Sequence, residues 1–540
     1  AVFPTPPAPA LPRPAPPPRV RPLPGRLICA PPMSRIQALL SLSLHELRSS
    51  RLEELFTAID TASSDDATLI TSLVERVFEG EAGLAALREP HVQHALAQRA
   101  LVHAEPSVRC FTLVICRQLS ASPGDVRILC ESGVMPIVAD LIVDQSLAVA
   151  EKASQLIVAC AQDLATLRVV FDHRPTLERL LSSATKTSTG KLSTPALRSL
   201  ALFAEVASVG EEQFLMCEAC GALAPVLTAW NSADELVQLN ALEIFSILAR
   251  RRRGFEWLRT HGVLDGLLAI ARGGGATGDE LMVTLQLPSV LHCLAELLEH
   301  NDRDEDALLV LGADGAFLQA VWPRIEPSAG HADGARDASM SLIRAVACSQ
   351  AGLLHVLTHV AQEGEHHCLH KQLRSSEERA KVCAIGVLAQ LCSSSARFYA
   401  NSAVLAAQQS LRSLLSAVSA SGTTTPGDTL AGYAVLPSPE LRVAALRLMR
   451  ALAQLDWGAV HLARCEAVLE YLIHTGSVTL SPDELREKHA LAGALVDSPL
   501  VIEAVGAGSA VMRHMRGYVT AGPFANLPRS EPKVMEPMTL

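Results

Sequence analysis

The chain has 540 residues, 49% of them hydrophobic but only 4% aromatic, and a formal net charge of −10. That length exceeds one ordinary globular core and leaves either several domains or one extended array. The acidic balance excludes nucleic acid as the main partner, because phosphate binding needs clustered Lys and Arg, and no apolar run is long enough to cross a bilayer as a helix.

Residues 1–32 hold 13 prolines, four arginines and no acid. Proline at that density removes donors and clashes with the preceding turn, so no helix forms there, and the amphipathic helix of a transit peptide is excluded with it. Helical sequence starts at once with Met33-Ser34-Arg35-Ile36. We expect Met33 to be the native start and residues 1–32 to be a disordered translated leader or a gene-model error; abundant endogenous peptides from before Met33 would overturn this. A polyproline ligand for an aromatic groove is the functional alternative for the leader. Without its four arginines the net charge of −10 becomes −14.

From Met33 to about Leu101 the pattern predicts three or four helices with a weak repeat, as suits the end unit of a stack. A repeat then becomes clear. Apolar segments meet at Gly133, at Arg174 in a copy without glycine, at Gly221 and at Gly262, spaced 41, 47 and 41 residues apart. A looser copy centres on Gly315. A second series of helix starts keeps step: Val108 after Glu105-Pro106-Ser107, Val149, Leu197 after Ser193-Thr194-Pro195, and Val237 after Asp234-Glu235. Ser, Thr or Asp before the helix supplies a cap, and Pro fits its first turn. Glycine after an apolar segment lets the chain take a left-handed turn and leave at a steep angle. Periods of about 40–47 residues are those of armadillo and HEAT arrays. The fold class is therefore all-α, an armadillo/HEAT-like helical-repeat solenoid over 33–526, with a disordered tail at 527–540.

Two stretches predict breaks in the array: the linker between Arg272 and Pro288, with its Gly273-Gly274-Gly275 run, and Pro323 to Gly334. Residues 420–438 predict a third loop. Between them Glu377 to Leu391 carries Val382, Ile385, Leu388 and Leu391 in helical phase. After Pro437-Ser438-Pro439 a strong helix buries Leu441, Ala445, Leu448 and Leu452, and helices continue to Tyr518.

Candidate chemistry is sparse. Cys217 and Cys220 form a Cys-x-x-Cys without a second pair, so core thiols are the expectation over zinc. The scattered 13 cysteines point to a reducing compartment. His366-His367-Cys368-Leu369-His370 is the densest ligand cluster, placed in a loop beside Glu363 and Glu365. No partner cluster accompanies it, so adventitious rather than designed metal binding is expected. Arg250-Arg251-Arg252-Arg253 reads equally as cations at a helix C-terminus and as a basic spot for an acidic partner segment. No phosphate loop, nucleophile elbow or His-Glu-x-x-His appears. We expect no catalytic residues, cofactor or metal.

The late repeats resemble the proteasome non-ATPase regulatory subunit five family. The likeness runs from Pro439-Glu440-Leu441 through Ala444-Ala445-Leu446, Trp457, Val468-Leu469-Glu470-Tyr471, Lys488 and Ala490-Leu491-Ala492 to Tyr518-Val519 and Gly522-Pro523-Phe524. Earlier, Pro106-Ser107-Val108-Arg109, Thr112-Leu113 and Gly262-Val263-Leu264-Asp265 look like the same family's repeats. The resemblance implies a curved, non-enzymatic assembly chaperone for the base of the proteasome regulatory particle. Its partners would be the C-terminal domain of one base AAA-ATPase subunit, that subunit's neighbours and an associated non-ATPase base subunit. It implies release before the mature particle forms. Separately, the reducing compartment read from the cysteines gives a cytoplasmic protein, with the nucleus as the alternative, and a monomer is expected. The Gly-rich loop after Arg272 and the acidic Asp302-Arg303-Asp304-Glu305-Asp306 stretch depart from the family's pattern. Two other readings stay open: an armadillo-type adaptor of the nuclear-import or scaffold kind, and a Cys/His hydrolase or metalloenzyme built on helices. Against the first, none of Trp230, Trp257, Trp322 and Trp457 is followed by an Asn at four-residue spacing.

Overall fold

The computed structural model describes residues 52–60 and 67–524, apart from 186, 189–190, 233, 274–279, 301–302, 313–315, 326–332, 420–423 and 474–479, together with scattered positions between 39 and 47. The leader 1–32, the Met33 start, Gly274 to Gly278, Asp302, Gly315 and the tail 527–540 lie outside these residues.

Helices come in threes. A leading helix is followed by a sharp turn, a second helix, another turn and a third, and among the described residues the set occurs nine times from Pro106. The leading helices are Pro106–Arg117, Leu147–Ala161, Thr194–Val209, Glu235–Ala249, Glu280–His300, Asp333–Val346, Glu378–Arg397, Pro439–Ala453 and Pro482–Asp497. Each packs on the next without interruption, and Ala67–Phe78 packs on the first of them as the end unit. One face of the molecule is thus a continuous series of leading helices. Among the described residues the only sheet is a two-stranded hairpin, Thr187–Ser188 with Lys191–Leu192.

The local causes are those legible in the sequence. The Ser193 hydroxyl accepts from Ala196 N, the Asp234 carboxylate from Leu236 N and Val237 N, and the Ser438 hydroxyl from Leu441 N, each fixing the start of a leading helix. Ser481 and Glu484 complete a reciprocal capping box. Gly133, Gly221 and Gly262 take φ of 84°, 78° and 71°, the left-handed turn between second and third helices. At Arg174 no glycine is needed, since His173 alone joins Leu164–Asp172 to Arg174–Ala184. Leu441, Ala445, Leu448 and Leu452 are 4% exposed or less, in one core that runs the length of the array.

Three expectations are corrected. The array does not break after Arg272 or after Pro323: Glu235–Ala249 packs on Glu280–His300, which packs on Asp333–Val346. Pro288 is inside the Glu280–His300 helix, and its ring lies against Gly334 of the next leading helix. Residues 420–438 are not one loop, because Thr425 and Asp428 form a capping box that starts Pro426–Tyr433. The His366–His370 segment is likewise mostly helical, with His367 capping Cys368–Leu373. In the last two cases side-chain caps hold helices of eight and six residues that show too few turns to register as a period. No single helix among the described residues is long and apolar enough to cross a membrane.

Candidate protein-interaction groove

The leading-helix face carries an open groove of about 760 Å³ across four consecutive units. Its floor is made of small side chains on Glu378–Arg397 and Pro439–Ala453: Gly386, Ala389, Ser393, Val443 and Ala444. At Gly386 an added Cβ would meet nothing within 4 Å, so the depression above it is real space. The deep sides of the same helices, Ile385, Leu388, Leu391 and Leu448, are sealed in the core. Helical periodicity therefore splits each leading helix into an anchored stripe and a presented stripe.

Charges of both signs rim the groove. Arg344 and Glu440 are exposed on its walls. Asp337 is paired by Arg379. Arg447 Nε and Arg450 Nη1 converge on Glu487 at 3.2 and 2.9 Å, and both arginines are well exposed. Exposed pairs of this kind are worth about 0–1 kcal/mol, so an incoming surface can exchange them at little cost. Cys383 is the groove's nucleophile type, but burial and the neighbouring Asp337 push its thiol up to about 11. Its Sγ donates to Asp337 Oδ1 at 3.5 Å, which holds the protonated form.

The four arginines sit at the junction of two helices. Arg250 caps Glu235–Ala249 and is exposed. Arg251 Nε and Nη2 donate to the carbonyls of Ser208 and Val209, at 2.9 and 3.0 Å, at the end of the preceding leading helix. Arg252 opens the Arg252–Thr260 helix, pairs with Glu256 at 2.9 Å and reaches Asp306, which is 1% exposed. Arg253 lies 3.9 Å from Glu218. Two cations in a helix's first turn oppose its dipole, and these acids offset the conflict. The acidic 302–306 stretch is thus in part the partner of the arginine run. Asp304 Oδ1 also accepts from Ala351 N at 2.8 Å.

The histidine cluster divides. His366 is exposed, while His367 and His370 are buried. His370 Nε2 lies 3.0 Å from Ser413 Oγ in the following unit. His359, Glu363 and His367 bring ligand-type atoms within 4.8 Å of one another. The cap decides what they can do. His367 Nδ1 accepts from Leu369 N at 3.1 Å, so a neutral ring carries its proton on Nε2. Neither nitrogen then has a free lone pair for a metal. The His367 ring meets Trp322 edge to face at 4.6 Å, and His359 stacks on the same indole at 5.2 Å. Burial, then the nearby His359, His370 and Lys371, hold His367 down to about 3, so it stays neutral. The trio reads as aromatic packing. Cys217 is fully buried at the end of Glu211–Ala219, and burial raises both it and Cys220.

Sequence reasoning missed the groove residues Gly386, Arg447, Arg450 and Glu487. The available signal was small residues on the presented stripe of two successive leading helices.

A family profile described as "Proteasome non-ATPase 26S subunit" matches residues 34–301 and 422–536. Human and Bos taurus proteins, both named 26S proteasome non-ATPase regulatory subunit 5, are each 24% identical to this chain. They align over 517 and 516 residues, 91% of this chain and 94% of each relative. A solved structure of importin beta is 14% identical with a TM-score of 0.48, covering 90% of this chain and 63% of that one. A computationally designed armadillo repeat protein for modular peptide recognition is 18% identical with a TM-score of 0.26, covering 48% and 98%. At those scores neither structural likeness adds to what the helices themselves show. The profile spans well over half of the chain, although the groove helices Asp333–Val346 and Glu378–Arg397 fall in the gap between its two matched segments: the chain belongs to the proteasome non-ATPase 26S subunit family.

Proposed function

We propose that this chain is an assembly chaperone for the base of the proteasome regulatory particle. It receives the C-terminal domain of an AAA-ATPase subunit on the leading-helix face, keeps that domain beside its neighbours and the associated non-ATPase subunit, and leaves before the mature particle forms. The observation that carries this reading is the groove: an open, mixed-charge trough across four units, on a member of a proteasome subunit family. Its physics suits a reversible grip. The floor is small and apolar, and the rim is built of cheaply exchanged ion pairs. A domain held there is masked from premature contacts, because one face cannot hold two bodies.

The chaperone performs no catalysis in this reading. Cys383 is protonated at neutral pH, because the Asp337 carboxylate beside it holds the thiol form rather than the thiolate. Arg250 to Arg253 supply a second contact for an acidic partner segment, with Arg250 the member most open to it. The free thiols suit the cytoplasm, and we extend the site of action to the nucleus. Affinity purification of the tagged chain tests the proposal. Base ATPases recovered without the core particle support it; recovery of import cargo in their place overturns it.

A further inference from the structure

A second cavity, of about 600 Å³, lies away from the groove, between the helices Ser402–Val418, Asp456–Ala463 and Pro499–Val505. These are second helices of their units, so the cavity opens on a different part of the surface from the leading-helix face. Its floor is apolar, formed by Leu415, Trp457, Val460 and Leu500, the last 37% exposed. Its rim is cationic, formed by Arg412 and Arg464. The Arg412 guanidinium stands 5.1 Å over the Trp457 ring. Neither arginine pairs with an acid among the described residues. Asp456 is the one acid in the lining, and its Oδ2 already accepts from the Tyr399 hydroxyl at 2.9 Å. Trp457 Nε1 is a buried donor with no hydrogen-bond partner.

We propose that this cavity is a docking site for an acidic peptide segment bearing one bulky apolar side chain. The apolar side chain lies against Trp457 and Leu500. Flanking carboxylates meet Arg412 and Arg464. Charge complementarity selects this occupant: on a chain of net charge −10, two unpaired arginines over an apolar floor reverse the local field. Arg stacked on Trp is a preformed cationic surface that loses little freedom on binding.

The test is fluorescence polarisation with a labelled peptide of one Phe flanked on each side by three Glu, against the full chain. Binding should weaken at least tenfold for Arg412→Glu/Arg464→Glu, weaken severalfold for Trp457→Phe, and fall as salt rises. A peptide with Phe replaced by Ala should bind at least tenfold more weakly. Circular dichroism and melting of each variant separate lost binding from lost fold. Gly386→Trp, which fills the other groove, should leave peptide binding unchanged, so failure here and failure of the chaperone reading are distinguishable. No binding to the folded wild-type chain, binding indifferent to both arginines, or binding of polyphosphate or oligonucleotide with the peptide ignored would overturn the proposal.

Discussion

Arg442 Nε donates to Glu484 Oε1 at 2.5 Å, across 42 residues and between two adjacent leading helices. Neither side chain is more than 7% exposed. Arg442 also donates to the carbonyls of Leu436 and Pro437, and Glu484 accepts from Ser481 N, so one pair ties a loop, two helices and a cap together. Pairs at this spacing recur as Arg88–Asp125, Arg109–Asp144, Arg336–Glu377 and Arg447–Glu487, 35 to 41 residues apart. An arginine in one unit holding an acid in the next is a recurrent fastening of this array.

Arg442→Met leaves Glu484 charged, buried and unpaired, and should cost about 3–5 kcal/mol in urea unfolding. Arg442→Met with Glu484→Leu should recover part of that, short of full recovery because the cap is also lost, at about 1 kcal/mol. Burial alone would raise the Glu484 carboxyl, but the bonds from Arg442 and Ser481 outweigh it and the carboxyl is held low. Its contribution is therefore present above the ordinary glutamate value of about 4.3 and is lost as pH falls through its depressed folded value. The stability gap between wild type and the double variant should close below about pH 4.

Lys488 is 4% exposed, with its ammonium 4.7 Å over the Tyr471 ring, and burial brings it down to about 8. The folded value lies below the unfolded value of about 10.4, so the unfolded chain binds more protons between them and stability rises with pH across that window. Lys488→Met should be the more stable protein at pH 7, by about 1–3 kcal/mol, with the advantage shrinking from pH 8 to 10. Parallel denaturant titrations at pH 7, 8, 9 and 10 measure it. A gap that widens with pH would contradict the assignment.

Two kinds of glycine should respond differently. Gly262, at φ 71°, would place a Cβ in open space, so Gly262→Ala should cost only the left-handed penalty of about 1–2 kcal/mol. Gly458 is helical, and a Cβ there would lie 2.3 Å from the Leu452 carbonyl oxygen. Gly458→Ala must push a second helix off the end of its leading helix and should cost about 3 kcal/mol, the upper end of overpacking. Thermal melts of the two variants rank them.

These glycines also show how far the sequence could be read. The turn glycines at 133, 221 and 262 announce themselves, since each interrupts an apolar segment in step with the repeat. Gly254, Gly352 and Gly458 share another role: each lets a second helix touch the carbonyl six residues back, at Leu248, Val346 and Leu452. They were hidden because close backbone approach leaves no mark on hydrophobic periodicity. The anchored stripe of each leading helix was legible for the same reason, whereas the presented stripe was not: small and charged residues there look like any solvated face. The array's continuity past Arg272 was missed because turn-forming residues outweighed a single long helix that carries Pro288 inside it. The family residues Tyr471, Lys488 and Tyr518, far apart in sequence, meet in one aromatic cage whose ammonium lies 4.7 and 5.9 Å from the two rings.

In the proposed function, the groove on the leading-helix face grips an AAA-ATPase C-terminal domain. Gly386→Trp fills that groove without touching the core, since the new side chain starts in open space and replaces a poor helix former. Isothermal titration of the purified ATPase domain into wild type and Gly386→Trp is the direct measurement. Unchanged melting and at least a tenfold loss of affinity are expected for the variant; equal affinity for both proteins would overturn the proposal.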